Sequence, residues 1–366
     1  MLFYLTDQLL IAEDSPEYDD VMSAICNIAV AVFEHKHDLR GDYKVLKAMS
    51  TCSALDKRSR SVIHQVSANY ESMPIPREIT YYIEVVQEVD RQHRKEGNRV
   101  VTQVCYKELT NSSGTQKTCL IGEFYYDCDF YRFILNWFKK ENNLGKIATA
   151  FENVSGNGIT VIDHVKQYLK RDKRPTICIV DTDKKYPSQP IKSNSTCGKC
   201  MNKYGDDVKY KFIALEVQEV ENLVPLDVID ALNWSGAGVE FKKHFDTLRN
   251  HAESEQILAY FDMKNGIKKD NIFSQEEDFR AFAKLCCSYD VHNPANNDFE
   301  TYCKQLPPNG VIFPMLSNNL LKDSNEYMKA HPDVQFTLMD YQRQEWVSIA
   351  KSMLNWGVCR NQESLH

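Results

Sequence analysis

Two aspartates stand one residue apart in the stretch "TICIVDTDKK", residues 176–185, directly after a run of β-favouring residues. The run Thr176–Val180 predicts a buried strand. In an extended strand residues i and i+2 share a face, so the carboxylates of Asp181 and Asp183 can converge on one point. Two unit charges about 4 Å apart repel by roughly 4 kcal/mol at an effective dielectric near 20. Such a pair implies a cation or a proton between them. With oxygen donors alone the matching cation is hard, Mg²⁺ or Mn²⁺. An isolated Asp-x-Asp is also common in surface turns, so the pair gains meaning only from its surroundings.

Those surroundings are acidic. "LIGEFYYD" puts Glu123 at the end of an apolar run and Asp127 four residues later, where a helical pattern begins. "VSGNG", residues 154–158, joins a strand-like segment to a helix through two glycines, and "ALEVQEVENLVP" carries Glu216, Glu219 and Glu221. Each acid alone is weak evidence, and Glu216 reads equally well as a solvent-facing residue. Acids at successive C-terminal strand ends of one βαβαβ unit, however, mark the ligand crevice of an open α/β sheet. Lysines follow as well: Lys184 and Lys185 after the aspartates, and Lys264, Lys268 and Lys269 in "YFDMKNGIKK". For Lys264 a plain loop lysine is the competing reading.

The elements that must position these residues start near 118. "TCLIGEF", "KIATAFE", "PTICIVD" and "KYKFIALEV" read as strands, separated by the helical "DFYRFILNWFKKEN" and "GNGITVIDHVKQYLKRD" and followed by the helical "PLDVIDALNW". This alternation implies an α/β unit, a parallel sheet of about four strands with helices on both faces. Residues 1–115 read as mainly helical. Asp14-Ser15-Pro16-Glu17 opens a helix reaching about His37, "REITYYIEVVQEVDRQHRKEG" is a second helical pattern, and "RVVTQVCYKEL" is strand-like. Residues 236–366 return to helical patterning, broken by the loops "SYDVHNPANNDFE" and "CKQLPPNGVIFP". Three domains are therefore expected: an accessory 1–115, a catalytic 116–235, and 236–366 completing the site.

The acids, the glycine turn and the strand order together resemble the TOPRIM fold of topoisomerases, primases and OLD-like nucleases. The family pattern is a strand-end Glu-Gly-x-x-Asp, a glycine turn, then a strand ending Asp-x-Asp. Glu123 and Asp127 keep the Glu-to-Asp spacing, although the glycine precedes the glutamate as Gly122. Asp181 and Asp183 match the Asp-x-Asp, and "EVENLVP" is similar to the Glu-Asn-Leu segment of TOPRIM nucleases in anti-phage systems. The resemblance covers about residues 116–235. It implies a metal-dependent endonuclease hydrolysing DNA or RNA, with tRNA among the candidates, serving as a stand-alone defence effector. Two Mg²⁺ or Mn²⁺ ions would be held by Glu123, Asp127, Asp181, Asp183 and Glu221, with Lys264 as the catalytic cation and Lys184, Lys185, Lys268 and Lys269 on the nucleic acid. No Gly-x-x-x-x-Gly-Lys-Ser/Thr is present, so a nucleotide-driven trigger would come from a separate ATPase or sensor protein; self-association is a further role for the flanks. The alternative is a catalytically silent TOPRIM-fold regulator or nucleic-acid sensor acting through a partner.

Composition bounds these readings. The 366 residues carry a net charge of −7, which argues against non-specific coating of nucleic acid, since such affinity comes from neutralising phosphates. No apolar run approaches the roughly 18–20 residues of a membrane span, and "MLFYLTDQLLIAEDSPEYDD" has no basic leader, so a cytoplasmic protein without membrane contact is expected. The twelve cysteines follow no framework spacing and read as reduced thiols. Cys197 and Cys200 in "TCGKC" form a lone Cys-x-x-Cys, too few ligands for zinc, which is not expected. Arg58 and His64 read as one charged helical face.

Overall fold

A computed structural model describes residues 1–90, 92–204, 207–234, 237–250, 253–288 and 299–361. Most of the loop "SYDVHNPANNDFE" lies outside the described residues. At the N-terminus the structure departs from the helical expectation. Strands β1 (Leu2–Leu5), β2 (Asp38–Gly41), β3 (Tyr81–Val86), β4 (His93–Glu96) and β5 (Arg99–Cys105) form a sheet of order β2-β1-β3-β5-β4. β4 is antiparallel to β5, and the other pairings are parallel. "REITYYIEVVQEVDRQHRKEG" is thus β3 and β4 and not a helix. Its "YYIEVV" core is aromatic and β-branched, and β3 is enclosed between β1 and β5 with Tyr82, Ile83, Val85 and Val86 buried. Glu84 is buried in that strand because both its oxygens accept from the Arg94 guanidinium. Helices Tyr18–Phe33, Tyr43–Met49 and Lys57–Ala68 complete this part, the last capped by the Asp56 carboxylate on the N–H groups of Arg58 and Ser59.

The second sheet is the one expected from 118 onward. Four parallel strands, β6 (Thr118–Gly122), β8 (Phe151–Ser155), β9 (Thr176–Val180) and β10 (Tyr210–Ala214), stand in the order β10-β9-β6-β8. Between them β7 (Ala148–Thr149) pairs antiparallel with Val358–Cys359. Every residue of β6 and β9 is buried, which explains their unbroken apolar runs. The chain leaves β6 for β8 on one side and later returns to β9 on the other. The order therefore reverses between β6 and β9, and their C-terminal ends flank a topological switch point. The β8-to-helix turn needs Gly156: a Cβ there would sit 2.2 Å from Val161 Cγ2.

Two compact units result, each built of segments interleaved along the chain. Residues 1–179, 200–213 and 348–366 form the first, which holds both large sheets; residues 180–199 and 214–347 form the second. The division cuts β9 and β10 near their ends, since Val180 and Ala214 belong to the second unit. In the first unit Asn355 Oδ1 accepts the N–H groups of Thr80 and Tyr81, and Thr118 Oγ1 donates to Trp356 O at 2.6 Å, tying both sheets to one helix end. The second unit is mainly helical, with a short antiparallel pair, β11 (Ile267–Lys268) and β12 (Val311–Phe313). Its core is aromatic: Phe241, Phe261 and Phe313 meet edge-on at 4.7–5.8 Å between ring centroids. No described helix is long and apolar enough to cross a membrane.

Candidate functional site

β9 stops at Val180, so Asp181 and Asp183 lie in the loop after it and the shared-face argument for a strand does not apply. The loop turns because it bonds to the segment after β10. Thr182 Oγ1 donates to Val217 O at 2.6 Å, and Asp183 N–H donates to Gln218 O at 3.1 Å. Asp183 adopts φ +54°, a left-handed conformation that a short polar side chain tolerates. Asp181 is buried, and its Oδ1 accepts the Val220 N–H at 3.0 Å. That N–H opens the single turn Val220–Leu223, whose entry is fixed by Asn222: its Oδ1 accepts from Glu219 N–H, and its amide donates to Leu258 O and Phe261 O. The "VEN" triplet is thus folded to aim one N–H at Asp181 and to offer Glu219 and Glu221 side by side.

Lys264 comes to the same place. Its Nζ lies 3.0 Å from Glu221 Oε1 and 3.2 Å from Glu219 Oε2. A turn sets it there: Asp262 Oδ1 accepts the N–H groups of Lys264 and Asn265, and Gly266 follows at φ +64°. Burial works against the charge of Lys264, but Glu221, Glu219 and Asp181 outweigh it and hold the ammonium above the ordinary lysine range. Burial pushes Glu219 up to about 7; Lys264 opposes this, while Glu221 and Asp262 add to it. The Asp183 carboxyl is raised by burial against the pull of Lys264. The cluster is short of positive charge, and Glu221 Oε2 is buried with no hydrogen-bond partner among the described residues.

An acid-rich cluster with an orphaned carboxylate oxygen fits a hard divalent cation. Among the described residues no three His, Cys, Asp or Glu side chains form a ready-made shell. A divalent ion at this cluster would need water and substrate oxygens beside one or two of the carboxylates.

The other expected residues are distributed as follows. Glu123, after β6, and Asp127 belong to the first unit. The carbonyl of Glu123 accepts Gly158 N–H at 3.3 Å, and the Asp127 carboxylate accepts Phe124 N–H at 2.7 Å, closing the first turn of the helix Tyr125–Glu141. Lys185 and Lys268 line a cavity of about 380 Å³ together with Asp183, Gln218 and Glu219. Lys184 adjoins it in sequence. Lys269 instead donates to the carbonyls of Lys304 and Leu306. Lys242 of the basic "EFKKH" is held between Asp230 and Asp246. Glu216 is exposed, and its N–H donates to Glu345 Oε1 at 3.1 Å. The Cys200 thiol is hydrogen-bonded to Cys178, and all twelve cysteines are free. Gln218 and Asp262 escaped the sequence reading. The turn pattern "DMKNG" is a signal for Asp262; a lone glutamine carries none.

Compared with known proteins, the chain matches no family model, no curated protein and no solved structure.

Proposed function

We propose that the chain is a divalent-metal-dependent phosphodiester hydrolase of TOPRIM type acting on nucleic acid. The observation that carries this reading is the gathering of Asp181, Asp183, Glu219 and Glu221 around Lys264 within the second unit. Asp181 and Glu221 are the residues that would share Mg²⁺ or Mn²⁺ with water and substrate oxygens. When bound, such an ion supplies Lewis-acid stabilisation of phosphoryl oxygens. Lys264 offers a fixed positive charge to the phosphate, and Lys185 and Lys268 extend it along the cavity. The metal-binding roles of Glu123 and Asp127, and a place as an anti-phage effector triggered by a separate ATPase or sensor, rest on the resemblance alone.

The test is hydrolysis. Purified protein with Mg²⁺ or Mn²⁺ is expected to nick supercoiled plasmid or cut tRNA, and Asp181→Asn to lose that activity. Absence of cleavage in both metals on both substrates removes the reading. One observation favours the alternative of a catalytically silent regulator: Lys264 already bridges Glu219 and Glu221, and Asp181 already accepts a backbone N–H. A silent protein would bind nucleic acid unchanged when metal is chelated.

A further inference from the structure

The cavity beside the carboxylates has a chemistry of its own. Its volume of about 380 Å³ lies at the small end of ligand pockets, roughly 300–1,000 Å³, enough for one nucleotide-sized group. Aromatic rings of Phe261, Phe279 and Phe282 line it, and the Lys185 ammonium stands 5.3 Å from the Phe279 ring centroid. Gln218, only 4% exposed, also lines it, and its Oε1 has no hydrogen-bond partner among the described residues. A buried amide oxygen left in this state costs about 1–3 kcal/mol unless a donor arrives. Asp183, Glu219 and Asp262, which also line it, repel a free anion. Phenyl rings and an unpartnered amide oxygen suit a flat group rich in N–H donors, and Lys185 and Lys268 could hold a phosphate attached to it.

We infer that this cavity receives a nucleobase of the substrate strand, next to the phosphate held at the Lys264 cluster. The inference rests on the nucleic-acid reading above and narrows it. Every common base carries an N–H donor for Gln218 Oε1, and each has a π-face for the phenyl rings. A base seated there has left its stack, so the substrate is a single strand, a loop or a flipped nucleotide rather than intact duplex.

Binding is read by fluorescence anisotropy on the full chain carrying Asp181→Asn, in Mg²⁺, with a labelled single strand and a series in which one abasic nucleotide is moved along it. The abasic residue is expected to weaken binding about tenfold at one position. Gln218→Ala and Phe279→Ala are each expected to weaken the intact strand but to have no further effect on the strand abasic at that position. Duplex of the same sequence is expected to bind at least tenfold more weakly. The inference is overturned if all abasic positions are equivalent, if the variants weaken intact and abasic strands alike, or if no strand binds. Cleavage by the wild type in Mn²⁺ is scored separately. Base-dependent binding without cleavage keeps the pocket and removes the nuclease, whereas cleavage without base-dependent binding does the reverse.

Discussion

Asp181 has two tasks, and they can be separated by one atom. Its Oδ1 accepts the Val220 N–H, which an asparagine oxygen can also do, while its charge belongs to the cluster around Lys264. Asp181→Asn is therefore expected to abolish hydrolysis and to leave the metal-free melting temperature unchanged or slightly higher. Asp181→Ala strands a buried N–H and is expected to cost about 1–3 kcal/mol as well. Thermal melts beside the plasmid assay check both, and undiminished cleavage by the asparagine variant would remove the site. Glu345 provides a residue-scale test of pH dependence. Burial pushes its carboxyl up to about 7, with the hydrogen bond from Glu216 N–H opposing. An unfolded glutamate releases its proton near 4.3, so between these values the native state holds more protons than the unfolded one. This contribution to stability is full below about 4.3 and is lost as pH rises through about 7. Glu345→Gln keeps the acceptor and removes the ionisation. It is expected to match the wild type at pH 4 and to melt higher at pH 8, by at most roughly 3 kcal/mol. A glutamine variant less stable at pH 8 would mean that the carboxylate is held charged.

Among the elements, the turn 262–266 decides whether the lysine reaches its partners. Gly266 has φ +64°, and a Cβ there would lie 2.2 Å from Phe313 O. Gly266→Ala is strained in the backbone and blocked in space, so a loss of about 2 kcal/mol or more is expected. Because the turn also carries Lys264, hydrolysis at 25 °C is expected to fall further than the loss of folded protein would explain. Full activity in a folded alanine variant would show that Lys264 needs no such placement. This turn also shows why some features were legible and others were not. Strands β6, β9 and β10 were readable because their apolar runs end at glycines or acids. β1 and β2 span four residues each, too short to show a period, and the consecutive apolar positions of β3 satisfy a helical repeat as readily as a buried strand. Asp181, Asp183, Glu221 and Lys264 announce themselves by charge. Gln218 acts only because the Asp183 loop folds onto its segment, and Lys269 turns to backbone carbonyls, directions that residue type does not encode.

Over the whole molecule, a net charge of −7 opposes the approach of a polyanion, so a nucleic-acid substrate would have to be held by local charge. On the proposed function, divalent ions would contribute one part. A ligand bound to the native state alone stabilises it by about 2.7 kcal/mol at a hundredfold excess over Kd. Mg²⁺ is thus expected to raise the melting temperature of the wild type but not of a chain carrying Asp181→Asn and Glu221→Gln; an equal rise in both would place the ion elsewhere.

The lysines would contribute the other part, and the structure divides them. Lys185 and Lys268 face the cavity, whereas the Lys269 ammonium is occupied by Lys304 O and Leu306 O. Each phosphate neutralised on a single strand adds about 0.7 to the slope of log affinity against log salt. Replacing Lys185 and Lys268 by alanine is therefore expected to weaken binding and to flatten that slope by about 1.4. Lys269→Ala is expected to leave the slope as it is and to lower stability by roughly 1 kcal/mol, through the lost charge-assisted hydrogen bonds. Titrations across a salt series, run beside thermal melts, separate the two behaviours. If Lys269→Ala flattens the slope while the double variant does not, the strand runs along the Lys304–Leu306 side of the second unit and away from the cavity.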